Sequence, residues 1–407
     1  MAQRHGGQKT RPRIRLHVGE NAAKLPTMYR RLLNAPTLSF FLLGLRGVGK
    51  STWARERFPK AVWIDLLREA TFQAHLADPR LFRRQVAAVG AGDWVVVDEV
   101  QRLPSLLNEV HSLIEEKQIR FVLAGSSARK LRRAGVNLLG GRALSRTLSP
   151  FLPSELGADF DLGTALRFGA LPLIQSSPEP AEQLEAYAQL YLKEEIQAEA
   201  LVRNLAGFAR FLPVAALFHG QVLNVESLAR DCGVARTTVQ SYLDVLQDTL
   251  LAYRLPAFEG RLRVKERRHP KLYWTDPGIV RATLRRFHDP TAEERGPLLE
   301  GLVAGWFRAY RDVKHIDFDT LSYWSVGGGS RAEVDFLMQR GERTLAVEVK
   351  SSERIRPEHF HGLRALSEVA TARRILVYLG EEQFTEDGIE VWPLSVLLRQ
   401  LESKWDW

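Results

Sequence analysis

Eight residues near the start of the chain have the composition and spacing of a phosphate-binding loop. The segment GLRGVGKS, Gly44 to Ser51, fits the pattern G-x-x-x-x-G-K-[ST]. Its glycines let the backbone fold back so that several N–H groups point at phosphate oxygens. Lys50 would reach the β- and γ-phosphates, and the Ser51 hydroxyl would hold Mg²⁺. We therefore predict ATP and Mg²⁺ as cofactors, with nucleotide contacts from Gly44, Arg46, Gly47, Val48, Gly49, Lys50, Ser51 and Thr52.

Two carboxylates follow an apolar run that ends in WVVVDEV. An acid at the tip of such a strand is where a P-loop ATPase holds its Mg²⁺, so Asp98 is predicted to complete the metal site with Ser51. Glu99 is then placed to polarise the attacking water and is predicted to be catalytic. Without the upstream glycine loop, these acids would be no more than surface charges at the end of a strand.

A second set of chemically capable side chains lies in the C-terminal third. Glu300 falls on an amphipathic helical pattern, and Asp335 falls in the strand pattern EVDFLMQ. The segment VEVK places Glu348 and Lys350 on one face of the next strand, because strand side chains repeat every two residues. Glu300, Asp335 and Glu348 are predicted metal ligands, and Asp335, Glu348 and Lys350 are predicted to catalyse phosphodiester hydrolysis. The competing interpretation is a hairpin with a solvated charged face.

The middle of the chain contains a helix-turn-helix pattern, ESLARDCGVARTTVQSYLDVL. Gly233 stands where the turn needs a positive φ, and Val239 is apolar on the core side. The start of the second helix would face a major groove with Arg236, Thr237, Thr238 and Gln240. The following segment RLRVKERRHPK alternates like the wing of a winged helix, and its predicted phosphate-contacting face consists of Arg261, Arg263, Lys265 and Arg267. This module either binds DNA or acts as a rigid internal adaptor.

The elements that must position these groups divide the chain into five regions. The first half alternates short apolar runs with helical patterns, which indicates buried parallel strands of an α/β sheet. A helical stretch follows, and the C-terminal third returns to strands. The predicted regions are a disordered basic arm (1–25), a P-loop ATPase core (26–157), a helical lid (158–212), a winged helix-turn-helix (213–290) and an α/β nuclease-like domain (291–407).

Composition narrows the class of protein. The 407 residues are 45% hydrophobic and 26% charged, which is typical of a globular chain with more than one domain. The net charge of +9 favours an anionic partner, with nucleic acid as the first candidate. The single cysteine, Cys232, excludes an internal disulfide and a cysteine-rich zinc site. It fits a reducing cytoplasm, and the absence of an apolar run long enough for a bilayer predicts no membrane partner.

Taken in order, these motifs resemble an AAA+ ATPase of the archaeal-type group, with a winged helix and a C-terminal PD-(D/E)xK nuclease-like domain. The resemblance covers nearly the whole chain after the N-terminal arm and is carried by FGALPLI, YLKEEIQ, HPKLYWTDPGIV, LLEGLVAGWF, AEVDF and VEVKSS. It implies a polar sensor, Ser126 or Ser127, beside the γ-phosphate. It also implies that Arg142 contacts nucleotide, within its own subunit or across the interface of a homo-oligomer. Other arginines compete for that role: Arg129, Arg132, Arg133 and Arg146.

The resulting expectation is an ATP-hydrolysing enzyme that acts on DNA, with branched DNA as one candidate, and has a metal-dependent nuclease-like domain. The alternative is an ATP-dependent regulatory switch whose winged helix and inactive nuclease fold only bind nucleic acid or a partner protein. A third hypothesis is a regulator whose winged helix recognises a specific operator. The residues leave open the DNA structure, the oligomeric state and whether the nuclease-like site is active.

Overall fold

The computed structural model describes residues 29–126, 138–191, 204–258, 269–326, 332–367 and 370–407. Several sequence predictions lie outside these ranges: the basic arm 1–25, the wing residues Arg261, Arg263, Lys265 and Arg267, and Ser127, Arg129, Arg132 and Arg133. None of the helices within the described ranges has the length and apolar character needed to cross a bilayer.

Five parallel strands form the first sheet, in the order β2-β3-β4-β1-β5. The strands are β1 (Phe40–Leu43), β2 (Val62–Asp65), β3 (Trp94–Asp98), β4 (Arg120–Gly125) and β5 (Leu144–Thr147). The apolar runs of β1, β3 and β4 are almost completely buried, as expected for parallel strands covered on both faces. The chain runs from β1 to β2 on one side of the sheet, and after β4 it crosses β1 to reach β5 on the other side. The direction of the connections therefore reverses next to β1, and open α/β sheets bind ligands at such a position. The predicted α/β sheet is confirmed.

Helices surround this sheet and continue beyond it. They are α1 (Lys50–Arg57), α2 (Glu69–Ala77), α3 (Leu81–Gln85), α4 (Leu106–Lys117), α5 (Pro153–Leu156), α6 (Leu162–Phe168), α7 (Pro172–Gln175) and α8 (Pro180–Ala186), followed by a π-helical turn at Tyr187–Tyr191.

The middle of the chain combines helices with a small antiparallel sheet. Its elements are α9 (Leu205–Leu217), β6 (Gln221–Val222), α10 (Val225–Cys232), α11 (Arg236–Asp248), β7 (Ala252–Leu255), β8 (Lys271–Trp274) and α12 (Pro277–Thr283). The strand order is β6-β8-β7. Gly233 ends α10 in the left-handed conformation, with φ of 64°. The predicted boundary at residue 212 falls inside α9, whose Phe208 lies 5.0 Å from the ring of Tyr242 on α11. Helix α9 therefore belongs with the middle module.

A six-stranded mixed sheet forms the C-terminal domain, in the order β13-β14-β12-β11-β10-β9. The elements are α13 (Ala292–Asp312), β9 (Thr320–Ser325), β10 (Glu333–Arg340), β11 (Arg343–Val349), α14 (His361–Ser367), β12 (Arg373–Tyr378), β13 (Phe384–Glu386), β14 (Ile389–Pro393) and α15 (Leu394–Glu402). Strands β10 and β11 pair antiparallel, and Gly341 turns between them with φ of 57°.

One continuous set of buried apolar side chains joins the three parts. It includes Phe40 of β1, Tyr242 of α11, Trp274 of β8, Phe307 of α13 and Phe336 of β10. Side chains from neighbouring modules therefore meet in this cluster, while each face of the first sheet and of the C-terminal sheet that lies away from it has a smaller cluster of its own.

Candidate nucleotide site and carboxylate site

The glycine loop lies between β1 and α1. Gly47 and Gly49 adopt φ of 77° and 88°, a conformation in which a Cβ is strained. Lys50 is buried in the first turn of α1, and its Nζ donates to the carbonyl oxygens of Gly44 at 2.8 Å and Leu45 at 3.1 Å. These are hydrogen bonds that phosphate oxygens can replace when a nucleotide enters.

The two predicted Mg²⁺ ligands of the nucleotide site, Ser51 after the loop glycines and Asp98 at the end of β3, lie in contact. The Ser51 hydroxyl donates to Asp98 Oδ2 at 2.6 Å, across 47 residues of sequence. A hydroxyl and a carboxylate are hard oxygen ligands that suit Mg²⁺, which usually takes its remaining ligands from phosphates and water. The residues present therefore fit the ion.

Glu99 has a left-handed backbone, with φ of 56°, at the end of β3. Its carboxylate accepts a 2.5 Å hydrogen bond from Nε2 of Gln101, and the same amide donates to Ser126 Oγ at 3.0 Å. Gln101 and Ser126 are both buried. Gln101 thus bridges the predicted water-activating residue and the predicted sensor. The sequence offered no signal for Gln101 beyond its nearness to Glu99. A positive φ is uncommon for a non-glycine residue.

A buried arginine supports the loop from behind. Arg31 donates to the Val48 carbonyl at 2.9 Å, to Glu155 Oε2 at 3.1 Å and to the Ser149 carbonyl. Burial lowers the pKa of the Arg31 guanidinium, and the charge of Glu155 opposes that effect. Sequence reasoning missed Arg31, because nothing in YRRLL separates it from a solvated arginine.

The helices after β5 cover the loop. The Leu173 N–H donates to the Gly47 carbonyl at 3.2 Å, and the Tyr187 hydroxyl donates to the Arg46 carbonyl at 3.2 Å. Val48 is buried, whereas Thr52 is exposed on α1. A segment within the predicted lid region therefore touches the loop backbone directly.

Outside the glycine loop, the described arginines proposed for nucleotide contact are Arg142 and Arg146, and both have other partners. Arg142 pairs with Glu115 on α4, and its side chain is 40% exposed. Arg146 donates to the carbonyl of its neighbour Ser145 at 2.8 Å. Arg142 therefore has a surface partner in this structure, and its contact with nucleotide stays a prediction.

The predicted DNA-contacting residues lie at the start of α11. Arg236 and Thr237 are exposed, and Thr238 and Gln240 are partly exposed. Arg236 forms a 3.2 Å ion pair with Glu226 of α10, and Gln240 donates to Asp244 at 3.3 Å. A phosphate would have to compete with Glu226 for Arg236.

The predicted carboxylates of the C-terminal domain meet inside the protein. Asp335 and Glu348 are only 6% and 5% exposed, so the interpretation as a solvated hairpin face is wrong. The Val349 N–H donates to Asp335 Oδ2 at 2.9 Å, and the Asp335 N–H donates to Glu348 Oε2 at 3.2 Å. Lys350 Nζ donates to Glu348 Oε1 at 2.5 Å. Asp335, Glu348 and Lys350, which are consecutive motif residues in the sequence, thus lie together in one site.

A residue from the middle module completes this site. Lys271 of β8 is 2% exposed, and its Nζ lies 2.7 Å from Glu300 Oε1, 2.5 Å from Glu333 Oε1 and 3.4 Å from Asp335 Oδ1. The Tyr273 hydroxyl also donates to Glu300 Oε1. Hereafter the carboxylate site means Glu300, Glu333, Asp335 and Glu348 with Lys271, Tyr273 and Lys350.

Sequence reasoning missed Lys271 and Tyr273. Both occur in HPKLYW, and residues two apart on a strand share one face. A lysine at the start of an otherwise apolar strand is the signal that was available. It did not identify the partners, which lie on α13 and β10.

Burial and neighbouring negative charge raise the pKa values of two of the carboxylates. Burial raises the pKa of Glu348 to about 8 and that of Glu300 to about 7, and the negative charge of Asp335 adds to both. Burial alone would lower the pKa of Lys271, but the surrounding carboxylates outweigh it and raise that pKa well above its ordinary value. The lysine is therefore charged, and the site still carries excess negative charge when its acids are ionised.

The structure brings the predicted metal ligands Glu300, Asp335 and Glu348 together without arranging them around a common ion position, and their metal binding stays a prediction. Within the described part of the chain, no group of three or more His, Cys, Asp or Glu side chains is placed to hold a metal ion. Both oxygens of Asp335 and both of Glu348 contact protein donors. The ammonium groups of Lys271 and Lys350 supply the positive charge instead.

Comparison with known families divides the chain into three. Residues 37–157 match the model of an AAA domain. Residues 160–289 and 295–397 match two models described as domains of unknown function, DUF8612 and DUF4143. With the parallel sheet and the glycine loop, the first match identifies an AAA-type P-loop domain.

Relatives extend over most of the chain. An uncharacterized protein of Mycobacterium tuberculosis is 28% identical over 386 residues, covering 91% of this chain and 82% of that protein. An uncharacterized protein of Haemophilus influenzae is 22% identical over 318 residues, covering 73% and 75%. The solved Aeropyrum pernix ORC1 protein in complex with DNA is 16% identical and covers 61% of this chain and 86% of that chain. Its TM-score of 0.26 is too low to carry an argument.

Proposed function

We propose that this chain hydrolyses ATP at its AAA-type P-loop domain and uses the hydrolysis to act on DNA. The observation that carries the proposal is the 2.6 Å contact between Ser51 and Asp98, with Glu99 next in sequence. Bound Mg²⁺ would neutralise charge on the transferring phosphate.

The chain's own residues have separate tasks in this proposal. Lys50 exchanges its two loop carbonyls for phosphate oxygens and stabilises their charge. Glu99 orients the attacking water, and Gln101 holds Glu99 and Ser126 in a fixed relation. Arg31 fixes the loop backbone through the Val48 carbonyl.

Phosphate release from ATP tests this function. Wild-type protein should release phosphate in the presence of Mg²⁺ and stop when the ion is chelated. Ser51→Ala should turn over more slowly at limiting Mg²⁺ and recover in part at high Mg²⁺, because one ion ligand is lost. Wild-type protein that neither binds nor hydrolyses ATP would reject the proposal.

DNA binding is proposed for the middle module, as a winged helix. Its support is the left-handed turn at Gly233 between α10 and α11, the exposed Arg236 and Thr237, the adjoining three-stranded sheet and the net charge of +9. Binding to linear, single-stranded and four-way-junction DNA, with and without ATP, tests it. We expect affinity that falls steeply with salt and depends little on sequence. A strong preference for one sequence would favour the operator-reading regulator.

Metal-dependent DNA cleavage at the carboxylate site is a second candidate function. Its support is that Glu300, Asp335, Glu348 and Lys350 converge on one buried site. The opposing observation is that Lys271 lies among the carboxylates, so no cleavage step follows from the present arrangement. A nicking assay with Mg²⁺ or Mn²⁺ separates the candidates. Cleavage by wild type but not by Asp335→Ala or Glu348→Ala would establish a nuclease, and no cleavage of any DNA form would favour the regulatory switch.

A further inference from the structure

The backbone of Lys271 lies in the middle module, whereas its side chain reaches into the C-terminal domain. Its backbone pairs with Leu255 and Val222 in the three-stranded sheet, whereas its ammonium group contacts Glu300, Glu333 and Asp335 of the C-terminal domain. The ammonium group donates hydrogen bonds to Glu300 and Asp335 and forms an ion pair with Glu333. The lysine is thus a cation built into a cluster of acids.

Docking of the two modules fixes the position of this cation. The Phe258 N–H donates to the Tyr323 carbonyl at 2.7 Å, and the Tyr323 N–H donates to the Pro256 carbonyl at 3.0 Å, which joins the end of β7 to β9. Tyr273, on the same face of β8 as Lys271, binds Glu300 and lies 6.4 Å from the ring of Phe336. Lys271 enters the carboxylate site only as part of this docked surface.

A divalent cation at Asp335 would meet this ammonium group. Mg²⁺ binds carboxylate oxygen at about 2.1 Å. Lys271 Nζ lies 3.4 Å from Asp335 Oδ1, the longest of its three carboxylate contacts. A metal on that oxygen would therefore lie within roughly 5.5 Å of the ammonium group, in a buried setting where like charges repel strongly. The Asp335 contact is the one that an entering metal would break first.

We propose that Lys271 and a divalent cation compete for Asp335, so that the ammonium group of Lys271 lowers the affinity of the carboxylate site for metal. The inference rests on the proposed nuclease-like role of that site and adds its control. Lys271 offsets part of the negative charge of the acids. Displacing its side chain opens Asp335 and Glu348 to a metal.

Mn²⁺ binding by the full chain tests the competition without using cleavage. Free Mn²⁺ is counted by electron paramagnetic resonance in titrations without nucleotide. Lys271→Met should bind Mn²⁺ at least about tenfold more tightly than wild type, since a neighbouring positive charge is gone. Asp335→Asn added to Lys271→Met should abolish the gain. Lys117→Met, which removes an exposed lysine on α4, is the charge-matched control and should bind like wild type.

Folding is checked in parallel by circular dichroism and thermal unfolding, because Lys271→Met leaves buried acids without their partner. Lys271→Gln keeps two N–H donors without the charge and should show the same gain. A variant that folds only with Mn²⁺ would also support the competition. Folded variants with wild-type Mn²⁺ affinity would overturn it, and so would variants that Mn²⁺ fails to refold.

The nicking assay reports separately on the proposed function. Tighter Mn²⁺ binding by Lys271→Met without cleavage of any DNA would leave the competition standing and reject the nuclease. Cleavage by wild type together with equal Mn²⁺ affinity in wild type and Lys271→Met would do the reverse.

Discussion

The glycine-loop site and the carboxylate site each contain a buried cation, but the two cations stand in different places. Arg31 lies behind the glycine loop and binds Val48 and Glu155. Lys271 lies among the acids of the carboxylate site itself. A cation behind a loop shapes the backbone of the loop, whereas a cation among the acids takes the position that a metal would need.

The two sites also differ in how well their residues suit a metal ion. At the loop, Ser51 and Asp98 are in contact and suit Mg²⁺, and residues 37–157 match an AAA domain. At the carboxylate site the predicted acids converge, yet lysines provide the counter-charge. Convergence of acids is therefore not sufficient evidence for a metal site.

The largest effect is expected at the front of the loop. Lys50→Ala should lower ATP turnover by roughly 1,000-fold, because the transition state loses a preorganised charge. Phosphate release at saturating ATP measures it. Turnover near the wild-type value would contradict the assignment of the nucleotide site.

Removing Arg31, the cation behind the loop, should lower the stability of the fold. Arg31→Met leaves Glu155 buried without its charged partner, and we expect the free energy of unfolding to fall by about 3–5 kcal/mol. Denaturant unfolding measures it. Arg68→Met is the control, since Arg68 is 77% exposed in its 3.4 Å pair with Asp65 and should change stability little. Equal losses in the two variants would remove the distinction between a buried support and a surface pair.

A buried acid outside both sites, Asp276, should make the stability of the fold depend on pH. Asp276 accepts the N–H groups of Ala170 and Gly278, and burial raises its pKa from the ordinary 3.8 to about 6. The folded protein then holds the proton more tightly than the unfolded chain. Stability from this group is complete below pH 3.8 and is lost as pH rises through 6, by about 3 kcal/mol.

Unfolding at several pH values checks this prediction. The difference in stability between wild type and Asp276→Asn should change between pH 4 and 6 and stay level above pH 7. Asp161→Asn, which alters a more exposed capping carboxylate, is the control. A difference that does not vary with pH would mean that Asp276 is not perturbed by burial.

The smallest effect is expected at the bridge between Glu99 and Ser126. Gln101→Leu should lower kcat roughly tenfold with little change in KM, because Glu99 loses its amide donor while the phosphate contacts remain. Gln73→Leu removes a similar glutamine–glutamate bond on the surface of α2 and should leave both constants unchanged. A rise in KM with constant kcat would indicate a role in binding instead.

Local patterns predicted the chemistry better than the partners. The strand, glycine loop and helix around Lys50 are consecutive in sequence, so their geometry follows from residues that can be read together. Arg31 and Glu155 are 124 residues apart, and Lys271 and Asp335 are 64 apart. Their meeting depends on how modules dock, which no local periodicity encodes. The alternation of β10 and β11 predicted the strands but did not show that both faces are covered.

The central claim, ATP hydrolysis with Glu99 as the water-activating residue, is tested most directly by single-turnover hydrolysis in Glu99→Gln alongside nucleotide binding. We expect the rate to fall roughly 100- to 1,000-fold while ATP affinity stays within about twofold of wild type, because the amide keeps the shape of Glu99 but cannot act as a base. Glu99→Gln protein that hydrolyses ATP at the wild-type rate would contradict the claim.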